Sequence, residues 1–275
     1  MPRRLISLAT CVIATAAYCL SAIPAAAQTM TPAPAPAPKF LITDNSFLVE
    51  EAFNQETGIF QNLFVMTRSR TGVWSGSFTQ EWPVPGMRHQ VSFTAPMSII
   101  SGQASVGDGL INYRFQAWDG EGRRPAFSPR LSLVLPTSAD RREFGSSGAG
   151  WQMNLPFSKQ SGSMFFHWNA GATTIRDAGA GTPWTTTPFA AGSVIVGVRP
   201  MFNLMLEVYT ESRSGDAGRE VSTTIAPGFR TGWNIGDTQW IIGVAMPVTR
   251  GAIHDTGLLG YVSYELPFRK IASSK

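Results

Sequence analysis

The chain has 275 residues, 43% hydrophobic and 15% charged, with 22 Lys and Arg against 18 Asp and Glu. Beyond the first 20 positions there is no run of about 18 apolar residues, which excludes a helical membrane span there. The modest basic balance argues against a nucleic-acid partner.

Arg3 and Arg4 precede an apolar stretch over residues 5–20, and the small residues Ala25, Ala26 and Ala27 precede Gln28. This is the pattern of a secretory signal peptide, residues 1–27, cut after Ala27. Its core is shorter than the roughly 20 residues of a spanning helix. Both cysteines, Cys11 and Cys19, fall inside it, so the expected mature chain has no thiol for a disulfide, a metal or a nucleophile. Setting aside the two signal arginines leaves 20 basic against 18 acidic residues, a net charge of about +2.

Residues 28–44 contain a Pro/Ala alternation that favours extended, semi-rigid geometry and cannot pack a core, as in a periplasmic linker. Residues 45–58 come next as an amphipathic lead-in segment. Phe47, Leu48 and Phe53 fit one face of a short helix with Glu50 and Glu51 on a solvated face, although a lead-in strand fits too.

From residue 59 to residue 268, segments of about ten residues alternate apolar with polar side chains between Gly, Pro, Asp and Ser turns. This is the signature of a transmembrane β-barrel. The lead-in segment is placed at the periplasmic mouth of that barrel, or inside it. The strands are expected at 59–68, 73–82, 89–97, 109–118, 126–135, 149–157, 163–173, 189–199, 201–210, 220–230, 238–247 and 257–268. Twelve is an even number, as single-chain bacterial barrels require. The phase is plain where Ile111, Tyr113 and Phe115 alternate with Asn112, Arg114 and Gln116, and where Leu204, Leu206 and Val208 alternate with Asn203, Met205 and Glu207. Apolar sets should face lipid and polar sets the lumen. The connections at 83–87, 158–162 and 199–200 are short, whereas 137–148 and 176–188 are long and Gly-rich, so the long ones should face outside and carry any solute recognition. Residues 269–275 form a short C-terminal tail.

Tyr264, Leu266 and Phe268 share one face of the last strand, with Gly260 before them, and resemble the C-terminal signal read by the barrel-assembly machinery. The blocks SFLVEEAFNQETG (46–58), FTQEWPVPGMRHQ (78–90), AFSPRLSLVLPT (126–137), WQMNLP (151–156) and HWNAGAT (167–173) resemble the outer-membrane protein family linked to meta-pathway phenol degradation. That resemblance covers most of the mature chain. It implies a β-barrel in the outer membrane of a Gram-negative bacterium, aiding entry of small hydrophobic or aromatic compounds, and it implies no catalytic residue.

On this phase the lumen receives Glu81, Arg114, Arg130, Gln152, Asn154, His167, Asn169, Glu207 and Glu265. A charge on the lipid face would cost about 2–4 kcal/mol at the midplane, which favours the inward placement. These residues are either a selectivity lining or a salt-bridge network filling a narrow barrel. The mixed charge suits a neutral or aromatic solute. Most tryptophans fit an interfacial girdle, while Tyr209 and Tyr261 take the lumen phase and are placed to stack on an aromatic solute. His167 with Asn169 lacks a serine beside it on the same face, which speaks against a triad. No spacing matches a metal set, and no cofactor motif is present. The reading is a non-enzymatic passive channel in contact with outer-membrane lipid. The alternatives are a structural barrel with a filled lumen, a barrel lipid hydrolase and a soluble periplasmic β-protein.

Overall fold

The computed structural model describes residue 42 and residues 46–138, 148–176, 184–215, 218–236 and 238–268. The expected signal peptide, all of the linker except Ile42, and the C-terminal tail lie outside the described residues. So does most of the fifth and seventh connections.

Sixteen β segments make up the sheet. They are β1 (Ile59–Ser69), β2 (Trp74–Gly86), β3 (His89–Ile100), β4 (Gln103–Val106), β5 (Gly109–Phe115), β6 (Trp118–Asp119), β7 (Ala126–Phe127) and β8 (Arg130–Leu135), then β9 (Gly150–Ser161), β10 (Met164–Arg176), β11 (Trp184–Arg199), β12 (Phe202–Gly215), β13 (Gly218–Ile235), β14 (Thr238–Ala245), β15 (Val248–Gly251) and β16 (Asp255–Pro267). Three strands are interrupted, as β4–β6, β7–β8 and β14–β15, so the wall has twelve strands. Every pairing is antiparallel. The ring runs β1, β2, β3, β5, β8, β9, β10, β11, β12, β13, β14, β16, and closes where Ile59 to Ser69 of β1 pair with Pro267 to Gly257 of β16. Closure leaves no edge strand to template aggregation.

The alternation expected from the sequence is the alternation observed. In β5, Asn112 and Arg114 are buried while Ile111 and Tyr113 are exposed; in β12, Asn203, Met205 and Glu207 are buried while Leu204 and Leu206 are exposed. The outward face thus carries a belt of exposed apolar side chains around the ring, among them Leu133, Val194, Leu206, Phe229, Ile242 and Val262. Water would not tolerate so continuous a belt, which marks a surface meant for an apolar environment. Aromatic side chains gather near one end, where Phe60 stacks on Trp82 at 4.6 Å, Trp240 on Tyr264 at 4.7 Å and Phe127 on Phe157 at 4.4 Å.

Several boundaries differ from the sequence reading; β2 runs to Gly86 and β12 to Gly215, past the expected 82 and 210. β11 begins at Trp184, because the Thr-rich run before Phe189 pairs with β10 as far as Arg176. β13 continues to Ile235. β9 continues to Ser161, so the β9–β10 hairpin is tighter than the expected five-residue turn, with Gly162 at φ +58°. The lead-in also differs: residues 46–58 are neither helix nor strand. Their side chains divide between two sides of the lumen, so a helical face is not what they serve.

Candidate functional site

Residues 46–55 cross the interior of the barrel. They are bonded to β11 and β12 at one end and to β3 and β1 at the other, which lie on opposite arcs of the ring. An extended backbone without a ladder must satisfy its N–H and C=O groups elsewhere, and here the inward side chains of the wall do so. The Glu207 carboxylate accepts from the backbone N–H of Phe47 at 3.3 Å and of Leu48 at 3.1 Å. The Asn169 amide pairs with both backbone groups of Glu50, accepting from its N–H at 2.8 Å and donating to its carbonyl at 2.7 Å. Ser158 Oγ accepts from Ala52 N–H at 2.8 Å, and Gln116 donates to the Ala52 carbonyl at 2.7 Å. Gln90 accepts from Gln55 N–H at 2.9 Å.

The side chains of the segment sort by wall. Phe47 packs on Tyr261 with centroids 5.0 Å apart, over Gly243, where any Cβ would collide with its ring. Ile195, Met205, Ile241 and Leu259 also point inward and make this wall apolar, together with Ile42. The polar-inward rule alone did not foresee an apolar wall; the segment inside the barrel accounts for it, since Phe47 and Ile42 need something to pack on.

Glu50 faces the opposite wall, made by β5, β8 and β9. Arg130 Nε donates to both carboxylate oxygens at 2.8 and 3.1 Å, Asn154 donates at 2.7 Å, and Arg114 lies 3.4 Å away. Burial alone would raise the Glu50 carboxyl, but the two guanidiniums and the bonds from Arg130 and Asn154 outweigh it and hold it below the ordinary carboxylate value. Glu50 is therefore ionised at neutral pH. Glu50 is half-buried and Glu51 buried, and Arg114 donates to the Glu51 backbone carbonyl at 2.7 Å. The solvated acidic face expected for Glu50 and Glu51 is corrected here: both sit within the barrel.

Of the residues singled out in the sequence, Arg114 donates to Glu81 at 3.5 Å, and Arg130 donates to Asn112 at 3.0 Å and Gln152 at 2.8 Å, which in turn donates to Thr173 at 2.7 Å. Glu265 is half-buried opposite Gln61 near the end of β16. Tyr261 is buried under Phe47. Tyr209 is half-buried, its ring 5.9 Å from Phe189 and away from the crossing segment. Residues that the sequence did not single out include Ser158, Gln116, Gln90, Ser193 and Arg230, all of which touch the segment or Ile42.

His167 does have a serine partner, contrary to the sequence reading. Register places Ser158 opposite it, and Ser158 Oγ lies 2.7 Å from His167 Nδ1. With residues 46–55 in place the pair is shut away inside the barrel. Ser158 is fully buried, its oxygen already accepts from Ala52 N–H, and the Asn169 amide is spent on the Glu50 backbone instead of orienting the ring. Among the described residues no cluster of His, Cys and carboxylates has the makings of a metal site.

Against residues 46–50 lies a cavity of about 310 Å³. Its other lining includes the apolar Leu63, Val65, Leu110 and Tyr261 and the polar Ser92, Asn112, Arg130 and Gln152. Val65, Leu110 and Gln152 lie farther along their strands from the Gly86 and Ser161 ends than the residues gripping Ala52 and Gln55. The cavity thus sits on the side of the segment toward Ser69 and Trp74.

No protein-family model matches the chain, and no curated protein does. Among solved structures it is similar to the COG4313 outer membrane channel from Pseudomonas putida F1, at 11% identity over 78% of this chain and 97% of that one, with a TM-score of 0.55. The CymD monoaromatic hydrocarbon channel aligns at 11% identity over 78% and 90%, with a TM-score of 0.35. Pseudomonas aeruginosa OpdK with vanillate aligns at 10% over 76% and 97%, with a TM-score of 0.27. The first of these likenesses shows the fold alone, that of the closed, all-β, twelve-strand antiparallel barrel described above.

Proposed function

We propose that this chain is a passive outer-membrane channel for small hydrophobic or aromatic compounds, held shut by residues 46–55. The observation that carries the reading is the way the lumen is closed. The wall side chains leave room for a separate segment and for a cavity of about 310 Å³ beside it. That segment is held by side chains from many strands and by no β-ladder, so it can leave without unzipping the wall. The apolar outward belt supports insertion in a bilayer, and the resemblance of residues 46–58 and 78–90 to the phenol-degradation family supports an aromatic cargo. Tyr264, Leu266 and Phe268 are proposed to engage the barrel-assembly machinery.

The bilayer reading gives one prediction directly. Leu206 is 49% exposed in the apolar part of β12, so Leu206→Arg is expected to cost about 2–4 kcal/mol, read by urea unfolding of the barrel in vesicles. No loss would mean that this face does not meet lipid.

Transport is tested by protein-dependent flux of phenol against a sugar of similar size into liposomes, using refolded protein whose heat-shifted gel mobility verifies the barrel. A phenol-selective increment over empty liposomes supports the channel. A second reading, a structural barrel with a filled lumen, is favoured by the crossing segment itself. It predicts no increment for either solute, in the intact protein or after removal of the segment.

A further inference from the structure

The receptor around Glu50 is built wholly from the barrel wall. Arg130 and Asn154 donate to its carboxylate from β8 and β9, and Arg114 stands 3.4 Å away on β5. Two guanidiniums lie side by side here, because Arg114 and Arg130 are register partners. Arg114 has Glu81 on the wall at 3.5 Å, whereas the other groups on Arg130 are the neutral Asn112, Ser132 and Gln152. Glu50 therefore supplies the carboxylate that Arg130 binds, and it belongs to the crossing segment, not to the wall. When the segment leaves, the wall presents a carboxylate-shaped cradle with a net positive charge. The cradle also has a donor to spare, since Arg114 Nε is buried without a hydrogen-bond partner among the described residues.

The cavity reaches this cradle. Glu50 and Arg130 both line it, and Leu48, Leu63 and Tyr261 line the apolar side. Its volume is at the lower end for small-molecule sites, enough for a single substituted ring with its polar group toward Arg130.

We propose that the wall site filled by Glu50 is a carboxylate-binding site, and that small aromatic monocarboxylates bind it in competition with the segment and so open the lumen. This deepens the channel reading above and rests on it. A solute that binds only the released state shifts the equilibrium toward release. Because Glu50 is tethered, its effective concentration is on the order of millimolar, and the solute must reach that range to compete. Carboxylates suit the guanidinium fork better than neutral hydroxyls do.

The test is conductance of the refolded protein in planar bilayers at constant ionic strength, titrated with sodium benzoate and, separately, with benzyl alcohol. Benzoate is expected to raise conductance about tenfold at concentrations on the order of millimolar or above, and benzyl alcohol to leave it unchanged. Glu50→Gln should conduct without benzoate. Arg130→Gln should no longer respond to benzoate, and Asn154→Leu, which keeps both arginines, should need more of it. Heat-shifted mobility confirms that each variant is a barrel. Equal responses to the two probes, or an undiminished benzoate response in Arg130→Gln, would overturn the proposal. So would a benzoate-silent protein that conducts once residues 46–55 are deleted, and in that case the channel reading survives. If the deletion is silent too, the channel reading itself fails.

Discussion

Deleting residues 46–55 is expected to raise solute flux through the folded barrel by about a hundredfold. The size of the effect comes from the contacts that hold the segment. Releasing it breaks the Glu50 contacts with Arg130 and Arg114 and uncovers the wall side chains that grip the backbone of residues 47–55. Breaking a buried ion pair costs about 3–5 kcal/mol; with Arg130 and Glu50 15% and 18% exposed the low end applies, and each 1.4 kcal/mol is roughly tenfold in population, so the open fraction of the intact protein is on the order of one in a hundred. The barrel should survive the deletion, because β1 starts at Ile59 and its pairings with β2 and β16 involve none of the deleted residues. Water entering the lumen would rehydrate Arg114 and Arg130. The measurement is liposome flux of a small aromatic, with heat-shifted mobility as the check on folding. Unchanged flux from a verified barrel would show that the segment does not close the path.

The wall was legible in the sequence because each strand writes its two environments in alternate residues. Twelve strands were expected and twelve are found. Errors fell at strand ends, and one mattered chemically. Placing Ser158 in a turn at 158–162 hid its position opposite His167, because the Lys-Gln-Ser-Gly composition reads as a loop although β9 pairs with β10 out to Ser161. The path of residues 46–55 was not legible, for a different reason. The fold of a segment without a ladder is determined by its partners, and those partners, Gln90, Gln116, Ser158, Asn169 and Glu207, are scattered over more than a hundred residues. Read alone, Phe47, Leu48 and Phe53 suit a helix. What Phe47 and Leu48 meet is an apolar wall from β11 to β16, and that wall carried its own unread signal in Ile195, Ile241 and Leu259, apolar residues on the polar phase.

Arg114→Met is expected to destabilise the barrel by about 3–5 kcal/mol. Arg114 is 2% exposed, donates to the Glu51 carbonyl at 2.7 Å, and stands 3.5 Å from Glu81 and 3.4 Å from Glu50. Methionine fills much of the same volume, so the loss comes from charge more than from packing. Glu81, itself buried, loses the guanidinium beside it, and Glu50 keeps Arg130 and Asn154. Removing one partner of a buried pair costs far more than removing both. The double variant Arg114→Met with Glu81→Gln should therefore recover much of the loss, and the cycle of single and double variants should yield a coupling of about 0.5–3 kcal/mol. Urea unfolding in vesicles measures all four proteins. Additive losses would mean that Glu81 does not depend on Arg114, and that the polar wall is a set of separate contacts instead of one network. If the coupling is found, the polar wall keeps its shape through its own ion pair, Arg114 with Glu81. The second arginine, Arg130, is then left for whichever carboxylate occupies the cradle.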